Sequence, residues 1–218
     1  MDMGYFAFTR KAATEARDRA VQKFPHLNAK TDFPWFRTLH SLAYHCLGVS
    51  NKDLMSGTDY AVFAKETGLK VSANVETGED FIVQADNAIL NEINIARIRS
   101  EDLRTHYNKS EMEIEWFHFE FVERAYRRFK AANMLMDFTD LLERVAESPE
   151  RLPELKVLII DEAQDLSRLQ WKLVTALQNK AERTYIAGDD DQAVFNWAGA
   201  DVQSFLSYDG RVKVLNQS

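Results

Sequence analysis

Two clusters of carboxylates stand out, and each follows a run of apolar residues. The first is Asp161-Glu162, directly after Val157-Leu158-Ile159-Ile160; the second is Asp189-Asp190-Asp191-Gln192, after Thr184-Tyr185-Ile186-Ala187 and Gly188. Hard oxygen donors of this kind suit Mg²⁺, held directly or through water. A neighbouring carboxylate can orient or deprotonate an attacking water. Three successive aspartates repel one another unless solvent, cations or backbone donors offset their charge. Both clusters also have a plainer reading. Asp161-Glu162 could be an acidic turn that caps the next helix, and residues 189–191 a solvated loop or a local calcium site. A third segment, Phe195-Asn196-Trp197-Ala198-Gly199-Ala200, sets two aromatics in a polar, glycine-containing stretch. Rings there can stack on unpaired bases, or simply pack beneath their own loop.

Such residues need a sheet to place them. Residues 155–160 form a continuous aliphatic run of the kind found in a parallel strand covered on both faces. Residues 184–187 (TYIA) read as a second buried strand, and 212–215 (VKVL) as a candidate third. Ser167-Arg168-Leu169-Gln170 matches a capping box and opens a helix running to about Lys180. Strand, helix and strand at this spacing make an α/β architecture, in which ligands bind beyond the carboxyl ends of the strands. Near the start, residues 4–8 read as a short strand and 11–24 as a charged amphipathic helix. Pro25 and Pro34 bracket a loop; residues 38–47 then have helical period and stop at Gly48. Residues 138–146 form another helix with Asp137 as its N-cap, closed off by Pro149 and Pro153.

The middle of the chain reads differently. From Ser50 to Gly78, glycines at 57, 68 and 78 divide the sequence into short elements and turns. Residues 80–99 and 111–133 read as two longer helices, the second crowded with Trp116, Phe117, Phe119, Phe121, Tyr126 and Phe129. An aromatic face at helical spacing is read as packed core rather than a base-stacking platform. This helical region reads as an insertion into the α/β framework.

Composition narrows the class. The 218 residues are 45% hydrophobic and 28% charged, which excludes disordered and collagenous chains and fits one large domain or two small ones. The longest aliphatic run, residues 157–160, is far short of a membrane span, and no basic-then-apolar signal opens the chain. Cys46 is the one cysteine, so an internal disulfide and a multi-cysteine zinc site are excluded. A reducing, cytoplasmic setting is expected. The net charge of −7 speaks against a generic nucleic-acid coat protein. Its distribution is uneven, however: residues 1–50 hold seven Lys/Arg against four Asp/Glu, the remainder twenty against thirty. A small basic zone on an acidic body can still grip phosphates locally.

Five motifs, in order, extend the reading across residues 6 to 200: Phe8-Thr9-Arg10-Lys11-Ala12-Ala13, Thr38-Leu39-His40-Ser41, Met136-Asp137-Phe138-Thr139-Asp140-Leu141-Leu142, IIDEAQD and GDDDQAVFNWAGA. Together they resemble the first RecA-like domain of the UvrD/Rep-like superfamily 1 DNA helicases. The resemblance implies a RecA-like parallel sheet flanked by helices, with residues 1–50 and 134–218 as motor core and 51–133 as a mostly helical accessory insertion. It implies ATP and Mg²⁺ as cofactors, Asp161 as the metal ligand, Glu162 as the activator of the hydrolytic water and Gln192 as the γ-phosphate sensor. It implies further that Phe8, Thr9, Arg10, His40, Phe195 and Trp197 line a path for single-stranded DNA.

Departures from the family pattern are specific. Ala198 stands where arginine is usual, and Leu39 where phenylalanine is usual. A phosphate-cradling loop needs G-x-x-x-x-G-K-[ST]. The glycines lie at 4, 48, 57, 68, 78, 188, 199 and 210; no two are five apart and none precedes a lysine. In the family that loop precedes the FTRKAA strand, so the chain is expected to begin after it, and to stop short of the second RecA-like domain. The expected function is part of an ATP-dependent helicase, inactive alone, whose partners are single-stranded DNA and those two missing pieces. Two other readings stay open: a non-catalytic DNA- or protein-binding module, and a nuclease using Asp161, Glu162 and residues 189–191 for two metal ions.

Overall fold

A computed structural model describes residues 2–75, 83–193 and 199–214. In chain order the elements are β1 (Met3–Phe6), α1 (Arg10–Lys23), β2 (Trp35–Arg37), α2 (Leu39–Leu47), α3 (Gly57–Thr67), β3 (Ser72–Val75), β4 (Val83–Asp86) and α4 (Ala88–Ile98). There follow α5 (Leu103–Lys109), α6 (Trp116–Ala132), α7 (Phe138–Ala146), β5 (Leu155–Ile160), α8 (Arg168–Gln178), β6 (Ala181–Ile186) and α9 (Val202–Leu206). Four strands make one sheet in the order β2-β1-β5-β6, parallel at every pairing. β3 and β4 pair separately as an antiparallel hairpin. The α/β, RecA-like class expected from the motifs is what the chain adopts.

Local chemistry explains the best-defined helices. Thr38 Oγ1 accepts the Ser41 N–H at 3.1 Å to start α2, and Gly48 ends it in the left-handed conformation (φ 66°). Asp137 and Asp140 cap each other's backbone at the start of α7; Ser167 and Gln170 do the same for α8.

Among the described residues, two hydrophobic cores result. One gathers Phe6, Leu39, Leu42, Leu142, Leu158, Ile160, Leu173 and Leu177 around the sheet. The other holds Tyr60, Phe63, Leu90, Ile93, Phe119, Val122, Tyr126 and Phe129 from α3, α4 and α6. Burying each such aliphatic or aromatic side chain stabilises the fold by about 1.5–3 kcal/mol relative to leaving it exposed. A partly buried ionic cluster joins the cores. Arg97 of α4 reaches Asp137, Asp140 and Glu143 of α7 at 2.8, 2.5 and 2.7 Å, and Lys130 of α6 reaches Asp137 and Asp140 at 2.6 Å each.

Several expectations are corrected. The aromatic helix begins at Trp116 rather than 111, and the helix expected from residue 80 begins at Ala88, after strand β4. The glycine-punctuated stretch contains an eleven-residue helix, α3. β1 ends at Phe6, so Phe8 lies beyond the strand. β6 starts three residues early and is not buried: as the edge of the sheet among the described residues, it leaves Tyr185 57% exposed. Residues 212–214 form no strand and have no pairing partner among the described residues, with Val212 and Val214 exposed; Leu215 lies outside the described residues. β2, α5 and α9 were not anticipated.

Candidate functional site

Because β1, β5 and β6 run parallel, the residues that follow them emerge on one edge of the sheet. The Asp161 N–H donates to the Phe6 carbonyl at 2.9 Å, and the Ala187 N–H to the Ile160 carbonyl at 2.8 Å. Asp161 and Glu162 therefore sit at the carboxyl end of a central strand, between the start of α1 and the loop after β6. The two acidic clusters, separate in sequence, share an edge.

Glu162 turns the chain away from the strand with φ 54°, a left-handed conformation that costs a non-glycine residue about 1 kcal/mol or more. Three hydrogen bonds surround that turn. The Glu162 N–H donates to Asp161 Oδ1 at 3.1 Å; Gln164 Nε2 donates to Glu162 Oε2 at 2.7 Å; and Gln164 Oε1 accepts the Asp189 N–H at 3.0 Å. Tyr5, on β1, donates its hydroxyl to Asp161 Oδ2. Burial, that bond and the charges of Asp161 and Glu162 push the Tyr5 phenol above its ordinary range, against a smaller opposing effect of Arg19.

In the second cluster backbone and amide donors offset part of the negative charge. Asp189 Oδ1 accepts the Asp191 N–H at 3.1 Å, and Asp189 Oδ2 accepts Gln192 Nε2 at 2.5 Å. Gln192 is thereby held against Asp189, and residues 188–192 remain exposed to solvent. Gly188 has no space for a side chain: a Cβ would stand 2.7 Å from Gln164 Oε1. Asp165 adds a carboxylate whose Oδ1 is buried without a hydrogen-bond partner; burial, then the charge of Glu162, raises its pKa.

The residues expected along the DNA path divide. Thr9 and Arg10 are exposed and Phe8 is half-buried; Thr9 Oγ1 also caps α1 by accepting the Ala12 N–H at 3.2 Å. His40 stands in the first turn of α2, edge-on to Phe138 with ring centroids 6.0 Å apart. Burial pushes its imidazole down to about 4, so it is neutral at pH 7. β1 and β2 are adjacent, with the Ala7 N–H donating to the Arg37 carbonyl at 3.2 Å, so Phe8–Arg10 and His40 follow neighbouring strand ends. Leu39 is buried in the sheet core. Phe195, Trp197 and Ala198 lie outside the described residues. Beyond them, Ala200 bridges to Ser167 at the head of α8.

Asp161, Glu162 and Asp189 are oxygen donors suited to Mg²⁺. Among the described residues no three metal-ligating side chains converge as a ready-made cage. Sequence reading did not single out Tyr5, Gln164 or Gly188. Gln164 could have been found, since it lies inside the IIDEAQD motif.

Similarity to known proteins extends over nearly the whole chain. A family model described as the UvrD/REP helicase N-terminal domain matches residues 3–213. DNA helicase II of Haemophilus influenzae is 26% identical over 215 residues, covering 92% of this chain and 29% of that protein. The ATP-dependent DNA helicase PcrA of Staphylococcus aureus is 26% identical over 213 residues, covering 93% and 28%. PcrA of Staphylococcus epidermidis is 28% identical over 225 residues, with the same coverage. The chain spans less than a third of the length of these relatives.

Proposed function

The chain belongs to the UvrD/REP helicase N-terminal domain family, and on that premise we propose that it forms part of an ATP-dependent DNA helicase that moves along single-stranded DNA. The observation that carries this reading is the meeting of three parallel strand ends. They bring Asp161-Glu162, Asp189-Gln192 and Phe8-Arg10 to one edge of the sheet. A nucleotide and a DNA strand bound there would share supporting strands, which is what coupling hydrolysis to movement requires.

ATP with Mg²⁺ supplies the phosphoryl bond whose hydrolysis releases free energy. Asp161 is assigned to hold the metal. Glu162, exposed and steadied by Gln164, is assigned to take a proton from water. Gln192, anchored on Asp189, is assigned to sense the terminal phosphate. Arg10, Thr9, Phe8 and His40 are assigned to the DNA strand together with Phe195 and Trp197. Residues 1–50 and 134–218 constitute the motor core in this reading, and 51–133 the accessory insertion.

The 218 residues contain no G-x-x-x-x-G-K-[ST] loop, so in this reading the phosphate cradle and the second RecA-like domain lie outside them. The outer edge of β6 has no partner among the described residues and can accept another strand.

Two assays test the proposal. A fluorescent single-stranded oligonucleotide is titrated at low and moderate salt with the chain, with Arg10→Ala and with Trp197→Ala. Binding is expected to be weak and salt-sensitive, and to weaken in both variants, since stacking on one base contributes about 1–3 kcal/mol. Equal affinity in all three proteins at every salt concentration overturns the DNA path. The chain alone is expected to release no phosphate from ATP. Release that disappears in Glu162→Gln would show that the cradle is not needed.

A further inference from the structure

Tyr5 lies in register with Ile159 of the neighbouring strand. Side chains two residues apart along a strand share a face, so Asp161, two residues past Ile159, falls on the Tyr5 side of the sheet. The phenol closes the remaining distance and its hydroxyl donates to Asp161 Oδ2. On the opposite flank Phe36 of β2, in register with Tyr5, stacks on the ring with centroids 5.4 Å apart and planes 21° from parallel. The other carboxylate oxygen, Asp161 Oδ1, accepts the Glu162 N–H at 3.1 Å. A side-chain donor thus holds one oxygen of Asp161 and a backbone donor the other. An ionised carboxylate has about four acceptor sites, so lone pairs remain for a cation.

We propose that Tyr5 is a positioning residue that fixes the Asp161 carboxylate for a divalent cation, acting through Asp161 without touching the ion. The inference rests on the reading of Asp161 as the metal ligand. Hydrogen-bond donors that orient a ligating side chain are worth about 10–100-fold in metal affinity. A tyrosine that only filled space beside Phe36 would be replaced by phenylalanine without effect on cation binding.

The test is Mn²⁺ binding, read from the electron paramagnetic resonance signal of the free ion, for the 218-residue chain, Tyr5→Phe and Asp161→Asn. Phenylalanine keeps the ring and its stacking on Phe36, so the variant retains the packing of the strand. Loss of a Mn²⁺ site in Asp161→Asn, with affinity about 10–100-fold weaker in Tyr5→Phe, is the expected result. Unchanged affinity in Tyr5→Phe, with loss in Asp161→Asn, overturns the role of Tyr5 and leaves the metal reading standing. Mn²⁺ binding that does not depend on Asp161, or no binding by the unaltered chain, overturns the metal reading and the Tyr5 inference with it.

Discussion

Gln164 Oε1 accepts the backbone N–H of Asp189 at 3.0 Å, joining the turn after β5 to the loop after β6. Its other amide atom, Nε2, donates to Glu162 Oε2 at 2.7 Å. One buried side chain, 1% exposed, therefore sets the spacing of the two acidic clusters. Gln164→Leu keeps similar bulk but leaves the Asp189 N–H without its partner, so it should destabilise the chain by about 1–3 kcal/mol. Gln164→Glu should cost more, because a carboxylate would then face Glu162. Urea unfolding measures both; a Gln164→Leu variant as stable as the parent would show that solvent satisfies the Asp189 N–H.

Gly188 reports on the same contact from the other side. A Cβ there would stand 2.7 Å from Gln164 Oε1 and 2.9 Å from Phe205 Cζ, so Gly188→Ala must displace both. The expected cost is about 1–3 kcal/mol. Truncating Gln164 to alanine makes room for the methyl group. The double variant should therefore be more stable than the two single costs predict, by at least about 0.5 kcal/mol. Strict additivity would place the clash on Phe205 instead.

What could be read from the sequence was local. β5 declares itself by an unbroken aliphatic run, α7 by its N-cap Asp137 and α8 by a capping box contained within four residues. The carboxylates are legible as candidate site residues because each cluster ends an apolar run. Elements that depend on neighbours were missed. β2 is three residues long and exists by pairing with β1, while β6 opens with Ala181-Glu182-Arg183 because an edge strand can turn charge to solvent. The glycines at 57 and 68 mark the ends of α3 rather than break it: Gly57 is its first residue and Gly68 its left-handed C-cap at φ 73°. Tyr5 escaped notice because its bond to Asp161 spans 156 residues of sequence, a contact that only the register of β1 on β5 creates.

The ionic cluster between the two cores gives a stability prediction. Burial pushes the Asp137 carboxyl up, but Arg97 and Lys130 outweigh it and hold it well below the ordinary carboxylate range. Asp137 is also the N-cap of α7, accepting the Asp140 N–H at 2.7 Å. Asp137→Ala removes the cap and leaves buried Lys130 and half-buried Arg97 short of an acceptor, so the expected loss is about 3–5 kcal/mol. Lys130→Met should cost less, since it removes a buried charge and leaves Arg97 to pair with Asp137. A larger loss in Lys130→Met than in Asp137→Ala, measured by urea unfolding, would reverse that ranking of the partners.

His40 makes the stability of the chain depend on pH. Burial lowers its pKa from 6.5 to about 4 in the folded protein, whereas the unfolded chain retains the ordinary value. Between those two values the unfolded state binds a proton that the folded state excludes, so stability falls as the pH drops from 6.5 and levels off below about 4. The slope contributed by one proton is at most about 1.4 kcal/mol per pH unit, and the whole contribution reaches about 3 kcal/mol. Carboxylates such as Asp137 add their own acid sensitivity, but mainly below the ordinary aspartate value near 4. Unfolding by urea at pH 7, 6 and 5 therefore separates the two effects. His40→Gln keeps a polar side chain that cannot charge, so its stability should change little from pH 7 to 5 while that of the parent declines. A variant that loses stability as steeply as the parent over that interval would show that His40 binds its proton equally well in both states.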